Sequence, residues 1–320
     1  MKSSTKILLI IAASLMVIGL VVFLVVMTMA KWDFSKLSTE KYETNAYNIE
    51  EAYTNISIIS DTADIEILPS EDGKSRIVCY EAEKRKHSVS VDDGTLLIEL
   101  SDTRKWYEYI GFNFSSPKIT VYLPEREYGT LAVKESTGDI KISKDFTFES
   151  ISLSLSTGHV SSYASAKKDI NVNGSTGDVC IENISAGSLS VTLTTGKVSI
   201  SDLNVRGELS VNVSTGKTYI KNTECEAFNS NGSTGDLTLE SLIARGKISV
   251  ERTTGDVTFK KSDASEIFVK VKTGDVTGSI LSDKVFVYHT STGDVDIPKS
   301  TSGGIFEIET STGDIKIKIN

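Results

Sequence analysis

A two-residue phrase, Thr-Gly, returns ten times over the last 190 or so residues of the chain at an almost constant interval, with one further copy, Thr277-Gly278, outside that rhythm. The ten regular glycines are Gly138, Gly158, Gly177, Gly196, Gly216, Gly235, Gly255, Gly274, Gly293 and Gly313, with successive spacings of 20, 19, 19, 20, 19, 20, 19, 19 and 20 residues. A unit this short cannot enclose a core alone and must lean on its neighbours, as in a stacked repeat. Glycine at one fixed corner supplies a backbone shape that other residues adopt only under strain.

The apolar residues keep step with the glycines. Six positions before each threonine stand Leu131, Ile151, Ile170, Leu189, Leu209, Phe228, Ile248, Ile267, Phe286 and Phe306. Four before stand Val133, Leu153, Val172, Val191, Val211, Ser230, Val250, Val269, Tyr288 and Ile308, with one polar intruder. Polar residues alternate with them, the period-2 signature of a strand with one buried face. The pattern predicts an all-β fold: a parallel β-solenoid (β-helix) of about ten coils, each with two strands and two turns. At ~4.8 Å per coil it is roughly 45–50 Å long. No proline occurs between Thr130 and Ile297, as a continuous ladder of backbone donors requires. An antiparallel sandwich of ten hairpins would instead alternate turn chemistries. The one-residue wobble is placed in a variable turn, at 202–207 and 263–266.

Upstream, Ile7 to Ala30 is an uncharged apolar run long enough to span a bilayer. Lys2 and Lys6 precede it and favour a cytoplasmic amino terminus, with the remainder, at net charge −11, outside the cell membrane. A cleaved signal is the rival, although its apolar region is usually only about 7–15 residues long. The expected division is a short tail and transmembrane anchor at 1–31, a juxtamembrane stalk at 32–54, an irregular β cap region at 55–129 and the solenoid at 130–320. Asp72-Gly73 and Asp93-Gly94 mark turns within the cap. The aromatic cluster Trp106, Tyr107, Tyr109, Phe112 and Phe114 is expected to cover the open end of the first coil, and Lys84-Arg85-Lys86 to be a solvated turn.

Ala-Asp-Ile-Glu-Ile (63–67), Ile-Thr-Val-Tyr-Leu-Pro (119–124) and the iterated Ser-Thr-Gly-Asp phrase together give a resemblance. The chain resembles, over about residues 48–320, the bacterial family of toastrack-like β-strand-repeat proteins known as "putative adhesins". The resemblance implies a β-solenoid at the cell envelope, often behind one membrane helix, and brings no catalytic residues.

The residue after the corner glycine is Asp in seven of the ten units, including Asp139 and Asp178. Asp236, Asp256, Asp275, Asp294 and Asp314 belong to consecutive coils and are the candidate calcium ligands. Stacked carboxylates repel by about 1 kcal/mol per neighbour at high dielectric, and calcium accepts such oxygens. In the structural alternative, Asp closes a turn on its own backbone and the threonines form a hydroxyl ladder. Lys197 and Lys217 interrupt the carboxylate column. One threonine per coil does not make the two-threonine face of an ice-binding solenoid.

Chemistry elsewhere is sparse. The chain has three histidines, His87, His159 and His289, without ligand spacing, and three cysteines, Cys79, Cys180 and Cys225, too few to pair completely. Gly216-Lys217-Thr218 imitates the end of a phosphate loop but lacks its first glycine, since Val211 stands there. A net charge of −9 argues against nucleic-acid binding. The reading is therefore non-enzymatic and cofactor-free: an adhesion, scaffold or envelope-sensing module whose partner is a protein or an envelope polymer. A calcium- or glycan-binding module using the Asp edge is the alternative, and a polysaccharide-degrading enzyme a more distant one. Ile315–Asn320 is expected to form the exposed end of the stack, guarded by Lys316 and Lys318, and to offer a self-association surface on the C-terminal coil.

Overall fold

The computed structural model describes residues 3–33, 40–106 and 115–320. One helix, Ser3–Met29, precedes a β-solenoid. Side chains from Ile7 to Val26 are exposed along its length, and it is long and apolar enough to cross a membrane.

Each repeat is a coil, named here by its corner glycine. Parallel pairing holds every strand in register with its counterpart one coil on: Leu189 opposite Leu209, Leu209 opposite Phe228, Phe228 opposite Ile248. The interior columns follow the sequence pattern. Leu131, Ile151, Leu209, Phe228, Ile248 and Phe306 are fully buried. The intruder Ser230 is buried too, and its hydroxyl donates to Val211 O at 2.8 Å.

The coil has three sides rather than the two expected. After the Thr-Gly corner the chain runs straight for four residues and then bends at a second corner. There Asn183, Asp202, Asn222, Ser241 and Lys261 take positive φ of 45–58°. Asp202 and Asn222 drop out of the ladder at this bend, while Leu203 pairs with Thr223 beyond it. Residues 202–207 and 263–266 are thus mostly strand, not loop: Leu203, Val205 and Ala264 point into the core. The alternation of apolar and polar residues continues through this side, and only the single left-handed residue marks the turn.

Both ends depart from sequence order. At the carboxy-terminal end, Ile267–Val271 pairs with Phe306–Thr310, and Phe306–Thr310 pairs in turn with Phe286–Thr290. The Gly313 coil therefore lies between the Gly274 and Gly293 coils. The expectation that Ile315–Asn320 ends the stack is corrected: Ile315–Ile319 is flanked by Val276–Ile280 and Val295–Asp296. Self-association through Ile315–Asn320 as the outermost strand falls with it, because Ile315–Lys316 is already paired on both sides. The outermost strand is Lys284–Thr292.

The amino-terminal end repeats the device. Asn55–Ile59 and Asp64–Pro69 form a regular coil, inserted between the Gly138 coil and a rung made of Thr95–Asp102 and Lys118–Leu123. Part of the expected irregular region is thus an eleventh coil, with Ala63 at the glycine position. Outside it the pairing turns antiparallel. Tyr42–Ile49, in the expected stalk, is a strand paired along its length with Ser75–Ala82. Asp93-Gly94 makes the two-residue hairpin turn, both residues at positive φ. Arg85 is not solvated: its guanidinium reaches Asp61 at 2.7 Å and Thr62 at 3.0 Å. Of the aromatic cluster, Trp106 is exposed, and the other four lie outside the described residues.

Candidate functional site

The Thr-Gly-Asp corner is built from backbone. The corner glycines take φ between 129° and 152°, a region closed to side-chain-bearing residues. A Cβ on Gly216 would lie 1.8 Å from Gly196 O, so the column admits glycine for space as well as for conformation. Inside the outermost coil, each corner N–H donates to the threonine carbonyl of the next coil, as Gly158 does to Thr176 O at 3.0 Å. Backbone carbonyls, rather than a hydroxyl ladder, tie these threonines together.

The glycine corner turns the following N–H away from the strand ladder, and the Asp column receives it. Asp256 N–H donates to Asp236 Oδ1 (3.3 Å), Asp275 N–H to Asp256 Oδ1 (2.9 Å), Asp314 N–H to Asp275 Oδ1 (2.8 Å) and Asp294 N–H to Asp314 Oδ1 (2.9 Å). The bond passes from coil to coil instead of closing a turn on its own residue. His159 serves in place of Asp, its Nδ1 accepting from Asp178 N–H at 3.0 Å. Two carboxylates already have cations: Asp236 has Lys217 at 3.2 Å, and Asp314 has Lys316 at 2.6 Å. The Lys316 ammonium, helped by the Asp294 N–H, holds the Asp314 carboxyl below its usual range.

Among the described residues, three metal-ligating atoms converge at one place, and it is not this edge: Cys79, Glu81 and His87 offer atoms within 4.8 Å of one another. All three are buried. They sit where the antiparallel cap meets the first coils, and the repeat spacing gave no sign of them. Glu81 Oε2 accepts both the backbone N–H and Nδ1 of His87, each at 2.7 Å, while Asn45 donates to Oε1 at 2.8 Å. His87 Nε2 meets Ser60 Oγ at 3.1 Å. Burial pushes the Glu81 carboxyl up, but the His87 and Asn45 hydrogen bonds outweigh it and the net direction is down. Burial raises the Cys79 thiol to about 12, which leaves it a neutral core group rather than a nucleophile. With both imidazole nitrogens engaged, the cluster is already satisfied by hydrogen bonds.

The network continues to Glu135, 3% exposed, whose Oε1 accepts from the backbone of Ser136 (3.2 Å) and Thr137 (3.3 Å). Its Oε2 has no partner. Burial lifts this carboxyl to about 7 against the opposing backbone and Ser60 hydrogen bonds. A cavity of about 10 Å³ lined by Ser60, Thr62, Arg85 and His87 has room for a single water. Larger concavities are open grooves on the outer wall. One, of about 740 Å³, is lined by Arg245, Asp263, Glu266 and Lys284, and one of about 400 Å³ by Asn183, Asp202, Asn222 and Glu224.

The glycine corner, the coil stacking and the antiparallel cap bear on one comparison. The Toastrack DUF4097 family model matches residues 53–240 and 204–320. The chain belongs to this family. Among solved structures, this toastrack protein is similar to a "putative lipid binding protein" from Parabacteroides distasonis, at 17% identity and a TM-score of 0.50, covering 88% of this chain and 98% of that one. It also matches a "putative adhesin" from Bacteroides fragilis at 18% identity and a TM-score of 0.43, with the same coverage. No curated protein matches. At these identities the likeness is one of fold.

Proposed function

We propose that this toastrack protein is a membrane-anchored, extracytoplasmic module that works by binding rather than by catalysis, as an adhesive, scaffolding or envelope-sensing rod. The observation that carries the reading is the pairing of one exposed apolar helix with a stacked β rod whose hydrogen-bonded edges and buried polar groups are spent on the fold itself. Residues 1–31 supply the tail and anchor, and the long polar walls supply the contacts to a protein or an envelope polymer. Lys2 and Lys6 before the helix favour an outward rod. Trp32, exposed just beyond the helix, suits the membrane–water interface. The lipid-binding description of the Parabacteroides distasonis relative is compatible with contact at that end.

Protease treatment of intact cells tests the topology. Digestion of the repeat with retention of a short anchored fragment supports the proposal, and full protection of the repeat in unbroken cells overturns it. Proximity crosslinking from the outer wall, with the repeat-deleted protein as control, then identifies what the rod touches.

A further inference from the structure

The two ends of the rod are finished differently. At the end where the helix joins, antiparallel strands close over the core. At the other end the Gly293 coil is outermost, and its interior residues have no cover. Tyr288 is 52% and Val295 37% exposed, whereas Ile308 and Ile315, one coil inward in the same columns, are 1% and 0% exposed. Phe286 stacks on Phe306 at 5.6 Å on one side only.

Along Lys284–Thr292 the edge above this open core lacks the usual protection, which Pro298 and the exposed Lys299 supply only further along the same coil. Edge strands are normally guarded by lysines, proline or bulges. Val285–His289 carries no lysine and no proline, and the lysine-bearing Ile315–Ile319 strand lies one coil inward, its Ile315–Lys316 paired with Val295–Asp296. Lys284 is no guard, since its ammonium is buried against Asp263 at 2.7 Å.

We propose that this end is a homodimer interface, in which the Gly293 coils of two copies meet head to head and the two Lys284–Thr292 edges pair. Three observations select a second copy as the occupant. The strand spacing and column positions of one coil end are those of any other, so a coil is the natural complement of a coil. With Lys284 already paired to Asp263, the outer coil keeps Lys299 against Asp294 and Asp296, a near-neutral face of net −1 on a chain of net charge −9, so like faces can approach. The antiparallel cap blocks head-to-tail stacking, which makes the association close at two copies instead of growing into a filament. The inference is independent of the anchoring proposal, because the face lies at the far end of the rod from the helix.

Sedimentation of the full chain in detergent, at rising protein concentration, tests it. The expected result is a reversible dimer whose dissociation constant rises about tenfold or more in Tyr288→Lys, which sets a charge on the open core. Thr192→Lys, on the outer wall, should leave the dimer intact. In a Cys180→Ser background, Val287→Cys should be joined between copies by a short thiol crosslinker, a readout that survives any loss of fold in the lysine variant. A wild-type chain that stays monomeric, a dimer indifferent to Tyr288→Lys in a folded protein, or a dimer without a 287–287 crosslink overturns the proposal.

Discussion

The backbone N–H of Asp314 donates to Oδ1 of Asp275, 2.8 Å away and 39 residues earlier in the chain. A simple spiral would have joined Asp294 to Asp275. The bond places the last coil inside the stack, with the Gly293 coil as its outer neighbour.

Removing residues 304–320 should therefore strip a rung from between two others. The Gly293 coil would lose its parallel partner, and the 281–303 segment should become the first site of proteolytic cutting while the Gly138–Gly255 coils persist. Limited proteolysis with mass spectrometry checks this. A digestion pattern unchanged from the full chain would count against the inserted coil.

At the glycine corner, Gly255→Val should cost about 3–5 kcal/mol, because its φ of 134° excludes a side chain and a Cβ would lie 2.2 Å from Gly235 O. Asp256→Asn keeps an acceptor for the Asp275 N–H and should cost less than about 1 kcal/mol. Denaturant unfolding of the two variants gives the comparison, and equal losses would refute the corner argument.

Glu135 should make stability pH-dependent in an unusual direction. Its folded pKa, about 7, lies above the ordinary 4.5, so the neutral form is favoured by folding. The contribution is complete below about pH 4.5 and is lost as pH rises through about 7, by up to roughly 3 kcal/mol. Glu135→Gln should flatten that window, leaving the opposite, low-pH loss from Glu81 in place. Melting curves from pH 4 to 8, as orders of magnitude go, suffice; identical profiles for the two proteins would contradict it.

Arg252 is buried at 3% exposure, with Nε and Nη1 lacking partners and Nη2 donating to Ser230 Oγ at 2.8 Å. Burial without a carboxylate lowers it to about 10. Arg252→Met should leave stability unchanged or raise it by about 1–3 kcal/mol, since an unpaired buried charge is replaced by an apolar chain of similar length. A clear fall in melting temperature would show that the guanidinium stabilises this position.

Calcium added to the full chain should leave the melting temperature unmoved. Four of the five candidate carboxylates, those of Asp236, Asp256, Asp275 and Asp314, spend an oxygen on the neighbouring coil's N–H, and Lys217 and Lys316 already neutralise two of them. A rise in calorimetry that Asp275→Asn abolishes would reinstate the metal reading.

The columns that pass through Phe228 and Val250 were legible because apolar residues recur at one spacing, and so was the glycine corner. The second corner was not: Asn222, Ser241 and Lys261 share a left-handed backbone but no chemistry, and the alternation runs on through them. Coil order was hidden because units of equal length present interchangeable edges to one another. The Glu81–His87–Ser60 network was invisible for another reason. Its members sit on strands joined by antiparallel pairing and by a long return of the chain, where no period exists to read.

The inserted last coil also sets a schedule for assembly. During synthesis the Gly293 coil emerges before the strand that must slide in beneath it, so it can have no settled seat until the chain doubles back. The far tip of the rod is thus completed from within, and its closing stitch is the final stretch to leave the ribosome among the strands described.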